Sequence, residues 1–495
     1  MNPSEYDLSI IGSGPAGIAA AITARKYGLR VLVLDEQSKA GGQIFRNIEG
    51  MEKNFNSELR KLGNEYQSGL SLVKEFKNCG ADYFNDRSVW QIDADLGIHH
   101  VSASSNKVSS SINSYAKTKH LLIAVGAMER PMPFKGWTLP GVMACTAVDA
   151  LYKSSGLVPD EEVILAGCGP LLLLVACRLL DAGVKITALL DTNRRLALLK
   201  ALPYLPKALR SIGYLTKGMA MLHKIRSAGI QIYSGINGME ALGNSKFEKV
   251  RFKLGEHTLE KSSGMLLLHN GVVPNLQITR LLGCEHRWYD LQRYWEPVHD
   301  EWGNTSIDRI SIAGDCGRIS GASISEFNGY VSALDTVYKI GAISRNERNR
   351  LSLPYRKELS KHKAVRQLTM ALINKPNYSL LQSSLKIDDL IDPRMNTVSS
   401  ILKHVHKGTI ETAYSILNGE YEVIEAEIID TSELINKELK NANLPDEIRI
   451  GAILRGKDII IPRSNFVFQK DDTVVFLAKS DQIQIVENMF RISAI

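Results

Sequence analysis

The residues best placed for chemistry stand near the front of the chain. Gly12-Ser13-Gly14-Pro15-Ala16-Gly17 lies between an apolar stretch, Asp7 to Ile11, and an Ala-rich run, Ile18 to Tyr27. The first composition predicts a strand and the second a helix. Three glycines between them serve a pyrophosphate. Gly12 permits the tight turn, Gly14 lets the backbone approach the phosphates, and Gly17 lets the helix pack on the strand. Pro15 suits the first helical turn, where its missing N–H is no loss. The free amides and the helix dipole then face the anion. A second strand, Arg30 to Leu34, ends at Asp35, 23 residues after Gly12. That distance suits a carboxylate on an adenosine ribose, with Glu36 as its rival.

The pattern recurs downstream. Val163 to Ala166 reads as a strand, followed by Gly167-Cys168-Gly169-Pro170-Leu171-Leu172, an apolar helix through Leu180, and a strand from Val184 to Leu190 ending at Asp191. Here the third glycine is Leu172. A side chain there is expected to push the helix from the strand or to narrow the approach to the phosphates. Three readings stay open for Gly167, Gly169 and Asp191: NAD(H), another adenine nucleotide, or a ligand-free structural copy. NADP fits least, because Asp191 would repel a 2′-phosphate.

Three further segments bear on the first loop: Gly41-Gly42-Gln43, "HLLIAVG" from His120 to Gly126, and Ile310 to Asp315, which closes on Gly314-Asp315. Together with the loop they resemble the two-dinucleotide flavoprotein family that includes thioredoxin reductase. The resemblance implies FAD, with Gly12, Gly14, Pro15, Ala16, Gly17 and Asp35 or Glu36 on the nucleotide. Gly42 and Gln43 would lie near the isoalloxazine, Gly126 in the Ala-x-Gly turn, and Gly314 and Asp315 on the ribityl chain. No two cysteines have C-x-x-C spacing, which removes the flavin-to-cysteine-pair chemistry of thioredoxin and glutathione reductases.

Longer stretches narrow the likeness. "GGQIFR" (41–46), "GAMERPMPFKGWTLPGVM" (126–143), "VILAGCGPLLLLVA" (163–176), "LLLHNGVVPN" (266–275), "CEHRW" (284–288) and "AGDCGRISGASISE" (313–326) look like the FAD-containing α subunit of opine oxidases and of the related hydrogen cyanide synthase and D-hydroxyproline dehydrogenase. The likeness spans roughly residues 4 to 341, and the G-P-L-L-L loop is itself a mark of that branch. In that family the amine or amino acid is oxidised on a partner subunit carrying its own flavin, and the α subunit helps move electrons onward. No catalytic acid–base residue is therefore expected in this chain. Many members continue into a cysteine-rich iron–sulfur region. In this sequence no cysteine follows Cys316, so no iron–sulfur cluster is expected there.

Bulk properties agree with a soluble enzyme of several units. A length of 495 residues suggests about three domains. Leu171 to Cys177, an apolar run broken by Arg178, is far short of the roughly 20 residues a bilayer crossing needs. The first residues lack the layout of an export signal, which places the chain in the cytoplasm without membrane insertion. The six cysteines read as free, mostly buried thiols. Net charge is +7, and a net +6 falls between Arg345 and Arg366, which reads as a solvated linker and not as a nucleic-acid surface.

The last quarter has another character. Pro393 ends one element, Asn396 or Thr397 can cap the next, and Val398 to His406 carries a helical apolar stripe. His404 and His406 invite a metal reading, but a polar helix end before Gly408 is simpler. From Tyr421 the pattern is α+β: a strand Val423–Ile429, a short helix near Ser432 to Leu439, a hairpin of Ile448–Leu454 and Asp458–Ile461 around Gly456, a strand Thr473–Ala478, and a closing helix from Asp481. "RIGAILRGKDIIIPRSNFVFQKDDTVVFLA" (449–478) resembles the RCK-C domain of TrkA, the regulatory component of Trk potassium uptake. The likeness begins near residue 364, after the glycine-rich front of that family's own nucleotide domain would have passed. It implies partnership with a Trk channel and, because such modules associate in pairs, an oligomer.

The expected architecture is α/β: a two-dinucleotide-binding-domain flavoprotein with nested Rossmann-like domains, followed by a small α+β RCK-C domain. The FAD domain takes residues 1–125 and 275–341, the inserted nucleotide domain 126–274, a basic linker 342–363, the RCK remnant with a crossover helix 364–411, and RCK-C 412–495. The expected function is an FAD-dependent oxidoreductase subunit working with a flavin-containing oxidase subunit. The alternative is a regulator of Trk-type potassium uptake with a flavin-sensing module.

Overall fold

The computed structural model describes residues 5–54, 62–102, 114–193, 212–372, 410–416, 421–428, 432, 434–442, 444, 448–456 and 458–479. The chain divides into two compact units, residues 1–385 and 386–495. The first opens with β1 (Glu5–Ile11), α1 (Pro15–Lys26) and β2 (Val31–Leu34), the two strands parallel with Ile11 opposite Leu34. β3 (Asp82–Phe84) lies beyond β2, while β4 (Arg87–Ile92) and β5 (Gly97–Ser102) form an antiparallel pair. β6 (Ser114–Ile123) is parallel to β1, and its first residues pair antiparallel with β5.

β2 reads Val-Leu-Val-Leu because both sheet faces are covered. Val31 and Val33 join Leu8, Ile10 and Leu122 in one core, and Leu32 and Leu34 join Ile11, Leu121 and Ile123 in another.

After β6 the chain passes through β7 (Ala127–Glu129) and builds a second parallel sheet. Its parts are β8 (Val142–Ala144), α2 (Cys145–Ser155), β9 (Val163–Gly167), α3 (Pro170–Asp181), β10 (Ile186–Asp191) and β11 (Gln231–Ser234). An antiparallel sheet follows, β12 (Ile236–Leu242), β13 (Lys249–Leu254) and β14 (His257–Ser262), and then β15 (Met265–His269). The parallel order is β11-β10-β9-β15-β8. The chain returns through β16 (Val272–Pro274), antiparallel to β7, so the outgoing and returning segments share one ribbon. A hairpin, β17 (His286–Tyr289) and β18 (Tyr294–Pro297), leads to β19 (Ile310–Ile312), which rejoins the first sheet beside β6. α4 (Ala322–Lys339) then crosses α1, so closely that a Cβ on Gly329 would lie 2.2 Å from the Ala16 carbonyl oxygen. This is the expected nested pair of Rossmann-like folds.

The basic stretch read as a linker is instead helical from Arg345: α5 spans Arg345–Leu372 through Pro354. One anchor explains the difference. The Arg348 guanidinium lies 3.9 Å from the Trp302 ring centre and donates to Asp335 Oδ1 of α4 at 2.5 Å. Tyr355 stacks on Tyr330 at 4.6 Å. The remaining charges give the stretch its solvated composition, while a few side chains dock it.

In the second unit, β20 (Ile410–Ile416), β21 (Tyr421–Glu427), β22 (Arg449–Arg455), β23 (Asp458–Ile460) and β24 (Thr473–Lys479) form an antiparallel sheet ordered β20-β21-β24-β22-β23. Gly456 turns the expected hairpin at φ +61°. The short helix expected near Ser432–Leu439 is absent among the described residues there. Its amides are taken cross-chain: Asn436, Leu439 and Lys440 donate to the carbonyls of Phe468, Phe466 and Ser464, leaving one 3₁₀ turn, Leu439–Asn441. The helical stripe Val398–His406, with His404 and His406, and the closing helix from Asp481 lie outside the described residues. No described helix is long and apolar enough to cross a membrane.

Candidate cofactor site

The first glycine loop is built by close backbone contacts. The Gly12 N–H donates to Leu34 O at 2.8 Å, and Gly12 has φ +104° with Ala124 O only 2.5 Å from where a Cβ would stand. A Cβ on Gly17 would sit 1.9 Å from Gly12 O, so α1 starts directly against the turn. Gly42 would crowd Gly14 Cα at 2.8 Å and Gly314 would meet Ala16 Cβ at 2.9 Å. Gly14 itself faces nothing nearer than 4.0 Å, and Gly126 and Gly321 nothing within 4 Å. Four segments far apart in sequence thus meet the loop, leaving open space beside backbone amides at an α-helix N-terminus. That suits an extended anionic dinucleotide such as FAD. Pro15 and Ala16 are buried in the first turn of α1.

The structure gives the two rival acids different positions. Asp35 is 7 % exposed, and its carboxylate accepts from Ser13 N at 2.5 Å, Ser13 Oγ at 2.7 Å and Gln37 N at 2.7 Å, so it braces the loop. Glu36 is exposed and accepts from the side chain of Gln37 at 3.3 Å. The bracing role of Ser13 has no signal in the sequence, because a serine in a glycine-rich turn is unremarkable by itself.

Asp315 follows Gly314 at the end of β19. Its Oδ1 accepts from Ser320 N at 2.7 Å, Gly321 N at 3.1 Å and Ser325 Oγ at 3.2 Å, which ties the turn to the start of α4. Burial pushes the neighbouring Cys316 thiol up to about 11, and Cys145 is also raised by burial. All six cysteines are free and five are buried, so none offers an exposed thiolate.

Gln43 is exposed, accepts from Arg46 Nη2 at 3.0 Å, and presents its carbonyl to Lys153 Nζ of α2 at 3.2 Å. Lys153 belongs to a buried trio that the sequence reading missed. Asp149 lies 2.7 Å from Lys153 Nζ and 2.6 Å from Arg178 Nη1. Burial lowers the Lys153 ammonium. It would raise Asp149, but the Lys153 and Arg178 charges hold that carboxyl below the ordinary range. These polar residues sit at i, i+4 on α2 with the third on α3, a spacing that reads as surface charge without the packing.

At the second loop, Gly167 has φ +139°, with His269 O 1.8 Å from where a Cβ would stand, and Gly169 has φ +99°. Asp191 ends β10. Burial raises its carboxyl, which accepts from Asn193 N at 2.9 Å. Leu172 is 1 % exposed and packs with Cys145, Leu165 and Leu267 in the helix–sheet core, a place from which its side chain bears on the spacing of helix and strand. Beside the loop, His269 Nδ1 meets Glu129 Oε1 at 2.7 Å, and Thr146 Oγ1 donates to Glu129 Oε2 at 2.6 Å.

The family model for pyridine nucleotide-disulphide oxidoreductases matches residues 6–332. The chain belongs to this family. Its flavin- or nucleotide-dependent oxidoreductase module carries, at residues 423–491, a TrkA-C domain. An opine oxidase subunit of Rhizobium meliloti is 38 % identical over 344 residues, covering 68 % of this chain and 64 % of that protein, so the chain spans slightly less than two thirds of that relative's length. The Trk system potassium uptake protein TrkA of Azorhizobium caulinodans is 39 % identical over 127 residues, 26 % of this chain and 28 % of that protein. Among solved structures, L-proline dehydrogenase from P. horikoshii has a TM-score of 0.52 at 18 % identity, covering 72 % of this chain and 59 % of that one, a likeness of fold.

Proposed function

We propose that the chain is the FAD-binding subunit of an enzyme that oxidises an opine, an amino acid or another amine, and that it works in the cytoplasm with a flavin-containing oxidase subunit. One observation carries this reading: Ala124, Gly42 and Gly314 close on the Gly12–Gly17 loop, while nothing stands nearer than 4.0 Å to Gly14 or within 4 Å of Gly126, beside the N-terminus of α1. The FAD domain is residues 1–125 and 275–341, the inserted nucleotide domain 126–274, and the tail divides into 364–411 and 412–495. FAD, when bound, supplies the electron-accepting chemistry.

The chain's own residues hold and orient it. Gly14, Ala16 and Gly17 give amides to the pyrophosphate, while Gly12 makes the turn and Pro15 starts the helix whose N-terminus faces it. Glu36, free of the loop-bracing contacts that engage Asp35, takes the adenosine ribose. Asp315 fixes the turn at the ribityl chain and accepts from its hydroxyls. Gly42, Gln43 and Gly126 border the ring, and Lys153 sets the Gln43 carbonyl. Gly167, Gly169 and Asp191 hold a second adenine nucleotide. The test is purified full-length protein mixed with the oxidase subunit. Flavin absorbance should bleach on adding an opine or proline, and absence of bound FAD would refute the assignment.

The TrkA-C match favours a second reading, in which the chain regulates Trk-type potassium uptake through association of its tail with a channel subunit. Deleting residues 364–495 from the genomic copy would then alter potassium uptake, and an unchanged uptake rate would dismiss it.

A further inference from the structure

Helix α2 belongs to two cores at once. Cys145 and Val148, at its start, share a core with Leu165 and Leu172 of the inserted module, whereas Tyr152, near its end, shares one with Ile48, Met51 and Tyr66 of the first module. Asn47 Nδ2 donates to the Ser154 carbonyl at 2.7 Å, which ties the end of α2 to the segment that follows Gly41–Gln43. Lys153 is fixed by these neighbours, with its side chain 5 % exposed.

Positive charge collects at Gln43. Its main-chain carbonyl accepts from Lys153 Nζ at 3.2 Å and its side-chain oxygen from Arg46 Nη2 at 3.0 Å. Lys153 and Arg178 share one carboxylate, Asp149, while Arg46 has no acidic partner among the described residues and its Nε is buried and unpaired. Burial works against the Lys153 charge and Asp149 works for it. Three cations thus face one anion. Because buried charge without a partner is costly, fastening α2 alone would call for one cation per carboxylate. Excess positive charge on fixed side chains instead stabilises negative charge that arrives beside it.

The pyrophosphate already has the amides and the N-terminus of α1. The other source of negative charge is the ring. A neutral flavin ring that takes up two electrons and one proton from water carries one negative charge, and nearby protein charge sets how readily it does so.

We propose that Lys153 and Arg46 are positioning residues that hold positive charge on the two oxygens of Gln43 and thereby ease reduction of the flavin ring. This rests on the reading that Gly42, Gln43 and Gly126 border that ring.

The test measures the flavin midpoint potential of full-length holoprotein equilibrated with a reference dye. Lys153→Met removes the charge and keeps a long side chain; at a fixed potential it should move the ratio of reduced to oxidised flavin about tenfold toward oxidised, about 30 mV for two electrons. Arg46 is less buried and more screened, so Arg46→Met should move the ratio the same way by at least about threefold. Arg46→Lys, which keeps the charge, should stay within about twofold of wild type. The Arg46 pair decides the matter even if Lys153→Met fails to fold. An unchanged potential in the neutral variants overturns the inference, and so does a raised FAD dissociation constant at constant potential, which would assign the charges to the pyrophosphate. Protein that binds no FAD would sink the underlying reading as well.

Discussion

Asp335→Asn tests whether α5 is docked by a buried ion pair. Asp335 is 2 % exposed and accepts from Arg348 Nη1 at 2.5 Å and Asn304 Nδ2 at 2.9 Å. The amide keeps the shape but leaves the Arg348 charge uncompensated between the rings of Trp302 and Tyr338. Removing one partner of a buried pair costs about 3–5 kcal/mol. Because the guanidinium is about one-tenth exposed, the low end, about 3 kcal/mol, is the better figure. At about 1.4 kcal/mol per factor of ten, the undocked helix becomes about 100-fold more populated. Trypsin cutting at Arg356, Lys357 and Lys361 reads that population when opening is fast relative to cleavage. Cleavage should quicken by about 100-fold, and adding Arg348→Met should bring it back to within about tenfold of wild type. A single variant cut at the wild-type rate, or a double variant cut as fast as the single, refutes the reasoning.

Three other outcomes follow from the same geometry. Gly17→Ala places a methyl 1.9 Å from Gly12 O and should raise the dissociation constant for FAD at least about tenfold, whereas Gly28→Ala, with open space around it, should retain flavin; equal flavin content in both would contradict this. Burial holds His100 and His120 down to about 4, so both stay neutral in the folded chain while the unfolded chain protonates near pH 6.5. Stability should therefore be flat above about pH 6.5 and fall toward pH 4 by up to about 3 kcal/mol per histidine, and urea midpoints of the His100→Phe/His120→Leu variant should show a shallower fall. In the second unit, buried Asp472 accepts from Arg455 Nε at 2.7 Å and Nη2 at 2.8 Å, so Asp472→Asn should speed hydrogen exchange in β22 and β24 while flavin content stays constant.

The strands and glycine turns were legible because their requirements are local: a strand buried on both faces must be apolar, and a turn crowded by a neighbouring carbonyl admits only glycine. Docking of α5 was hidden because basic residues dominate its composition, while Arg348, two rings and an acid on α4 decide its place. Glu129 and His269 are 140 residues apart, and only pairing of β7 with β16 beside β15 brings them together. Spacing tells that Leu172 puts a side chain where the first loop has a glycine, and only the packing tells that this side chain joins the helix–sheet core. Asp35 and Glu36 are adjacent, and only the Ser13 contacts separate their roles.

The most direct measurement is the flavin content of the full-length protein purified under native conditions. Yellow protein carrying an equimolar amount of FAD is expected, and an Asp315→Ala variant with weaker retention. Colourless protein that takes up no added FAD would contradict it.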